Sequence, residues 1–268
     1  MQAEATSLSN QIAQVRANIA DMLLEIDSIK LQVNPRIEAD YATKIGYLEN
    51  DLLKWQIAAR RAKRRVALAQ ATANVGERVS QHDFEEQLDE EFEEWEALLA
   101  KSVEMFLQIV EWQTASKPMS PAESDELKQL HRTLIKRLHP DLHPGQSDEE
   151  ARFFMVAQTA FEEGNLAVLR SIAVATEGMG AEADSNDLTE FEMNAELEIV
   201  LAHERITAQQ LDDLKQANPY ALKEKLEDGK WVIQRTEELK RQIEGQKAVV
   251  RVYDERFERI WKEAENER

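Results

Sequence analysis

Apolar residues recur through the first part of the chain in alternating steps of four and three. Leu8, Ile12, Val15, Ile19, Met22, Ile26, Ile29 and Val33 keep that rhythm without interruption, which is the a/d seam of a coiled coil. Asn34-Pro35 follows. Proline lacks an amide donor and disfavours helix at the residue before it, so the helix is expected to stop there. A second seam then runs through Tyr41, Ile45, Leu48, Leu52, Trp55, Ala59, Ala62 and Val66. So short a connection predicts an antiparallel hairpin over residues 1–75.

A second reversal is expected near Ala73-Asn74-Val75-Gly76. It would bring the basic run Arg60–Arg65 opposite the acidic run that begins at Asp83. The basic run could read as a patch for nucleic acid or anionic lipid. The preferred reading is a solvated helix face neutralised by the acids, since such exposed pairs contribute only ~0–1 kcal/mol each. Near the C-terminus the four-three rhythm returns from Val232 through Leu239, Ile243, Val250, Tyr253 and Phe257 to Ile260. Alternating strand patterns bounded by turn clusters are absent. The prediction is an all-α chain in which long antiparallel coiled-coil helices bracket a small helical module. Its segments would be an N-terminal hairpin over 1–75, an acidic connecting helix over 76–119, the module over 120–176, a flexible linker over 177–187 and C-terminal helices over 188–268.

Composition narrows the classes. The 268 residues carry 33 Lys+Arg against 52 Asp+Glu, a formal charge of −19, which argues against a nucleic-acid or anionic-membrane coat. With no cysteine, disulfides and thiolate metal sites drop out and a reducing compartment is indicated. No secretory signal and no apolar run of membrane length is visible, so the expectation is a cytoplasmic protein with no membrane partner.

The middle segment has a different character. A helix from about Pro121 to Leu138 is capped by Ser120, with leucines at 127, 130, 134 and 138 as its buried stripe. Lys128, Arg132 and Lys136 recur every four residues on an outer face, joined by Arg137, with no acid among them. His139-Pro140-Asp141 ends this helix. Ser147 and Glu150 form a capping box for the next one, which carries Phe154, Ala157 and Phe161 on one face, and Leu166, Leu169 and Ile172 mark a short third helix.

This arrangement resembles helices II and III of a J domain, the module of DnaJ-type co-chaperones, over roughly residues 121–175. The flanking chain is similar to bacterial J-domain proteins with coiled coils on both sides. The resemblance implies a non-enzymatic partner of a DnaK-type chaperone ATPase. The basic face, Lys128, Arg132, Lys136 and Arg137, would dock on the chaperone, and His139, Pro140 and Asp141 would trigger its ATP hydrolysis. No cofactor and no metal is expected. The coiled coils would recruit client proteins, and a second copy of the chain is a further candidate partner. The sequence also departs from the family. No helix I pattern precedes Pro121, so that helix is either supplied by Leu98–Trp112 or lost, and there is no Gly/Phe-rich linker.

Rival readings are a structural or adaptor protein with a degenerate J-like module and a nucleic-acid-associated protein using Arg60–Arg65. A metal site at His139, Asp141 and His143 lacks a fourth ligand in sequence. His82 and His203 read as surface or packing residues.

Overall fold

A computed structural model of the chain describes residues 2–75, 81–115, 119–179 and 189–266. Among them every regular element is helical and no strand occurs. The protein is all-α, as the missing strand alternation predicts. No helix among the described residues is long and apolar enough to cross a membrane.

The chain divides into two compact units, each assembled from distant segments. One comprises Met1–Ile37 and Lys117–Lys223, the other Glu38–Ser116 and Glu224–Arg268. This grouping differs from the sequential one expected, and the reason lies at Asn34-Pro35. The helix does not break there. α1 (Gln2–Ser28) leads into a π-helical turn (Ile29–Val33) and then α2 (Asn34–Tyr41), with Asn34 at φ −58°, ψ −48°. The Asn34 amide reaches back five residues to the Ile29 carbonyl. A wider turn just before Pro35 accommodates a ring that would otherwise crowd the carbonyl four residues back. A second π turn (Ala42–Gly46) precedes α3 (Tyr47–Val75). The hairpin expected over residues 1–75 therefore does not form, and each seam finds a remote partner instead.

In the first unit α1 packs on both α5 (Pro121–Leu138) and α8 (Glu190–Gln216), and α6 (Asp148–Glu162) and α7 (Leu166–Ala175) pack on α5 and on each other. The seam residues Ile12, Val15 and Ile19 are buried with Leu134 and Leu138 of α5, Phe154 and Phe161 of α6, and Leu169 of α7. Directions follow from the polar contacts. Arg16–Glu196 and Lys215–Glu25 ascend together, so α1 and α8 run parallel. Asp27 meets His131 and Asp21 meets Arg132, while Ala17 lies by Lys136, so α1 and α5 run antiparallel.

In the second unit α3 packs on α4 (Gln81–Ala115) and on α10 (Gly229–Asn266), which follows the short α9 (Lys223–Glu227). The centre of the turn between α3 and α4 lies outside the described residues. The predicted juxtaposition of charge runs is present: Arg61 and Arg65 both reach Glu85 at 2.9 Å, and Arg64 reaches Glu91 at 2.7 Å. α10 runs parallel to α3, since Arg235 pairs with Glu49 while Phe257 packs with Val66 and Ala69. α3 and α4 run antiparallel, as the expected reversal requires, whereas α1 with α8 and α3 with α10 pair parallel, a correction to the antiparallel bracket. Helices joined by long crossovers are free of the direction that a tight loop imposes. Of the linker expected over 177–187, Glu177–Met179 form a turn after α7, and 180–187 lie outside the described residues.

Candidate docking site

α5 is punctuated at both ends as its sequence requires. The Ser120 side chain accepts from the Glu123 amide, and the Glu123 carboxylate accepts from the Ser120 amide at 2.9 Å, a complete capping box with Pro121 in the first turn. At the other end the His139 amide donates to the Ile135 carbonyl at 2.9 Å. His139 itself is extended, at φ −69° and ψ 129°, as the residue before a proline prefers.

The tripeptide His139-Pro140-Asp141 divides by exposure. His139 is 9% exposed, whereas Pro140 and Asp141 face solvent. The His139 ring meets Phe154 edge-on at 4.9 Å, and its Nδ1 accepts the Asp141 amide at 3.1 Å. Burial pushes the imidazole below its ordinary value, against the opposing pull of Asp141. A neutral ring accepting at Nδ1 carries its proton on Nε2. The His139 carbonyl accepts from both Leu142 and His143 amides at 3.0 Å, and His143 Nε2 donates to the Lys136 carbonyl at 2.7 Å. These bonds hold the loop against the end of α5 and leave the Asp141 carboxylate outside. Nε2 of His203 on α8 lies 3.7 Å from it.

The four expected docking cations fall into two pairs. Lys128 and Lys136 are exposed and have no ion-pair partner among the described residues. Arg132 is paired with Asp21 of α1, and Arg137 donates to the Ala173 carbonyl of α7 at 2.8 Å. Lys136 borders a cavity of about 140 Å³, lined also by Ala13, Arg16, Ala17, Leu142 and His143. Among the described residues no group of three or more His, Asp or Glu is placed to hold a metal ion. His82 is exposed, and Leu98–Trp112 lies within α4 of the other unit. In its place α1 packs on α5, which also contacts α6 and α7.

The chain matches no family model, no curated protein and no solved structure. The reading of the site therefore rests on its own geometry.

Its deepest polar feature was not anticipated. His131 is fully buried, stacked on Phe161 at 4.0 Å with 9° between the rings, and its Nε2 lies 2.8 Å from Asp27 Oδ2. That contact clamps α5 to the end of α1. The spacing of α5 carried the signal: Leu127, His131, Leu134 and Leu138 step by four, three and four, all buried, while Leu130 is only half-buried.

Proposed function

We propose that the protein is a co-chaperone that docks on a DnaK-type chaperone through α5 and stimulates its ATP hydrolysis through the His139-Pro140-Asp141 loop. The observation that carries this reading is the presentation of that loop. Its histidine is sunk against Phe154 and its backbone is fastened to α5, while Pro140 and the Asp141 carboxylate stand outside. An acid held in this way is available for a charge-assisted bond to a partner guanidinium. Lys128 and Lys136 supply a positive edge on a chain of net charge −19, which favours encounter with an acidic partner surface. A coupling of ~1–3 kcal/mol between docking and the partner's conformational states suffices to alter its turnover several-fold. The long helices of the second unit would carry client or partner contacts, and the chain itself catalyses nothing.

The test is steady-state ATP turnover of a DnaK-type chaperone with added wild type, Asp141→Asn and His139→Gln. Wild type is expected to raise the turnover, and both variants to lose that effect while keeping wild-type far-UV circular dichroism. Asp141 is exposed, so its substitution leaves the core untouched. Absence of stimulation by folded wild type sinks the proposal.

A second reading has a specific observation behind it. Arg132 and Arg137 are engaged by Asp21 and by the Ala173 carbonyl, as befits a J-like module retained as a structural or adaptor element. Wild type that binds the ATPase without changing its turnover selects that reading.

A further inference from the structure

α8 carries two apolar stripes on different sides. Met193, Val200, Thr207 and Leu211 are buried within the first unit. Roughly 140° round the helix, at 100° per residue, lies a second stripe: Phe191, Ala195, Ile199, Ala202 and Ile206. It faces outward, with Phe191, Ile199 and Ile206 at 83%, 69% and 57% exposed. From Ala195 to Ile206 its steps are four, three and four, the spacing of a helix-pairing seam. On a helix already buried on its other side, this stripe is left uncovered by its own unit except at Ala202, which is half-buried.

We propose that this stripe pairs with the same stripe of a second copy of the chain, the two α8 helices running antiparallel about a two-fold axis level with Val200 and Leu201. The sequence is self-complementary in size and in charge about that level. Ala195 meets Ile206 of the second copy and Ile199 meets its Ala202, so each layer sets a large residue against a small one and the helices approach closely. Glu198 and Arg205 are seven residues apart and lie on one flank of the seam. In an antiparallel pair like flanks meet, so Glu198 faces Arg205 of the second copy, and symmetry repeats the ion pair. Neither side chain has an ion-pair partner within its own chain among the described residues, and Arg205 only donates Nε to the Leu201 carbonyl at 3.3 Å. A foreign partner would impose no such mirror order; a self-interface requires it, because every contact occurs twice.

The seam is short, so the interface falls at the small end of specific contacts, below about 1,200 Å², and pairing should be reversible with a Kd of about 10–100 μM. Two chains of −19 each also repel, and near-physiological salt screens that repulsion.

Sedimentation equilibrium of the full chain tests the proposal. At about 0.15 M salt the mass should rise from the 30.8 kDa monomer toward twice that value as concentration climbs from about 1 to about 300 μM. Ile199→Glu should stay monomeric at every concentration with unchanged helicity, because the replaced side chain lies outside the core. Glu198→Arg and Arg205→Glu should each weaken association several-fold, and the double exchange should restore it. Register is read from cysteines placed in a chain that has none. A mixture of Ala195→Cys and Ile206→Cys should form mixed disulfides, while Ala195→Cys alone should not, its two sulfurs lying about 16 Å apart along the axis. A folded chain that remains monomeric throughout overturns the proposal. So does a double exchange that fails to restore pairing, or cross-linking of Ala195→Cys with itself. None of these outcomes depends on docking to an ATPase.

Discussion

His139 and His131 sit eight residues apart on one helix and its cap, yet their surroundings assign them different work. His139 packs against Phe154 near the surface, and burial lowers its affinity for a proton. Above the ordinary histidine value of about 6.5 both folded and unfolded chains hold it neutral, and its contribution to stability is whole. As pH falls below that value the unfolded chain takes up the proton first, and stability drains until pH passes the lower folded value. Titration of the His139 ring by NMR should place its midpoint below that of a histidine in an unfolded peptide, with urea midpoints declining over the same window. His131 is instead bound to Asp27 in the core. Asp27→Ala would leave a buried ring nitrogen unsatisfied and should cost about 1–3 kcal/mol in chemical denaturation. Pairing it with His131→Leu should recover part of that loss. The sequence stripe was legible in spacing but not in composition, because hydrophobicity favours Leu130 over His131 for the same face.

At the scale of helices, local chemistry was readable wherever the signal was local. The bounds Pro121–Leu138, the Ser147 cap and the register between Arg60–Arg65 and the acidic run all follow from neighbouring residues. Arg61 anchors that register, touching Glu85, Asp89 and Glu96. Arg61→Glu should therefore lower stability by about 1–2 kcal/mol at low salt, and by much less at 1 M salt, where charges are screened beyond ~3 Å. Pro35 misled because its ordinary effect is to end a helix. Ile29, Val33, Ile37, Tyr41 and Ile45 step by four throughout, a repeat too long for an α-helical stripe and suited to the two π turns that the chain contains. Tyr41, in that stretch, donates to Glu49 at 2.8 Å, and burial with this carboxylate pushes its phenol up to about 12. Its contribution to stability is whole below the ordinary phenol value of about 10 and is lost as pH rises from there toward the folded value. Tyr41→Phe should flatten alkaline unfolding over that window.

For the whole molecule, the decisive fact is that neither unit is a continuous stretch of chain. The segment 120–176 resembles a free-standing module, but its leucines share a core with Ile12, Val15 and Ile19 of α1 and Val200 of α8. A fragment of residues 120–176 alone should keep helical far-UV dichroism, lose near-UV signal and exchange its amides rapidly; mixing it with 1–37 should not fully restore order without α8. No local pattern could disclose these unions, because periodicity marks the face a helix buries and not the distant segment that covers it. They also set a schedule at the ribosome. Arg16 and its partner Glu196 stand 180 residues apart, so at about 5–20 residues per second the first seam must wait about 9–36 s for the last of the helices that cover it. Throughout that interval a greasy N-terminal rod is exposed in a crowded cell, and the nascent chain itself needs shielding before its fold can close.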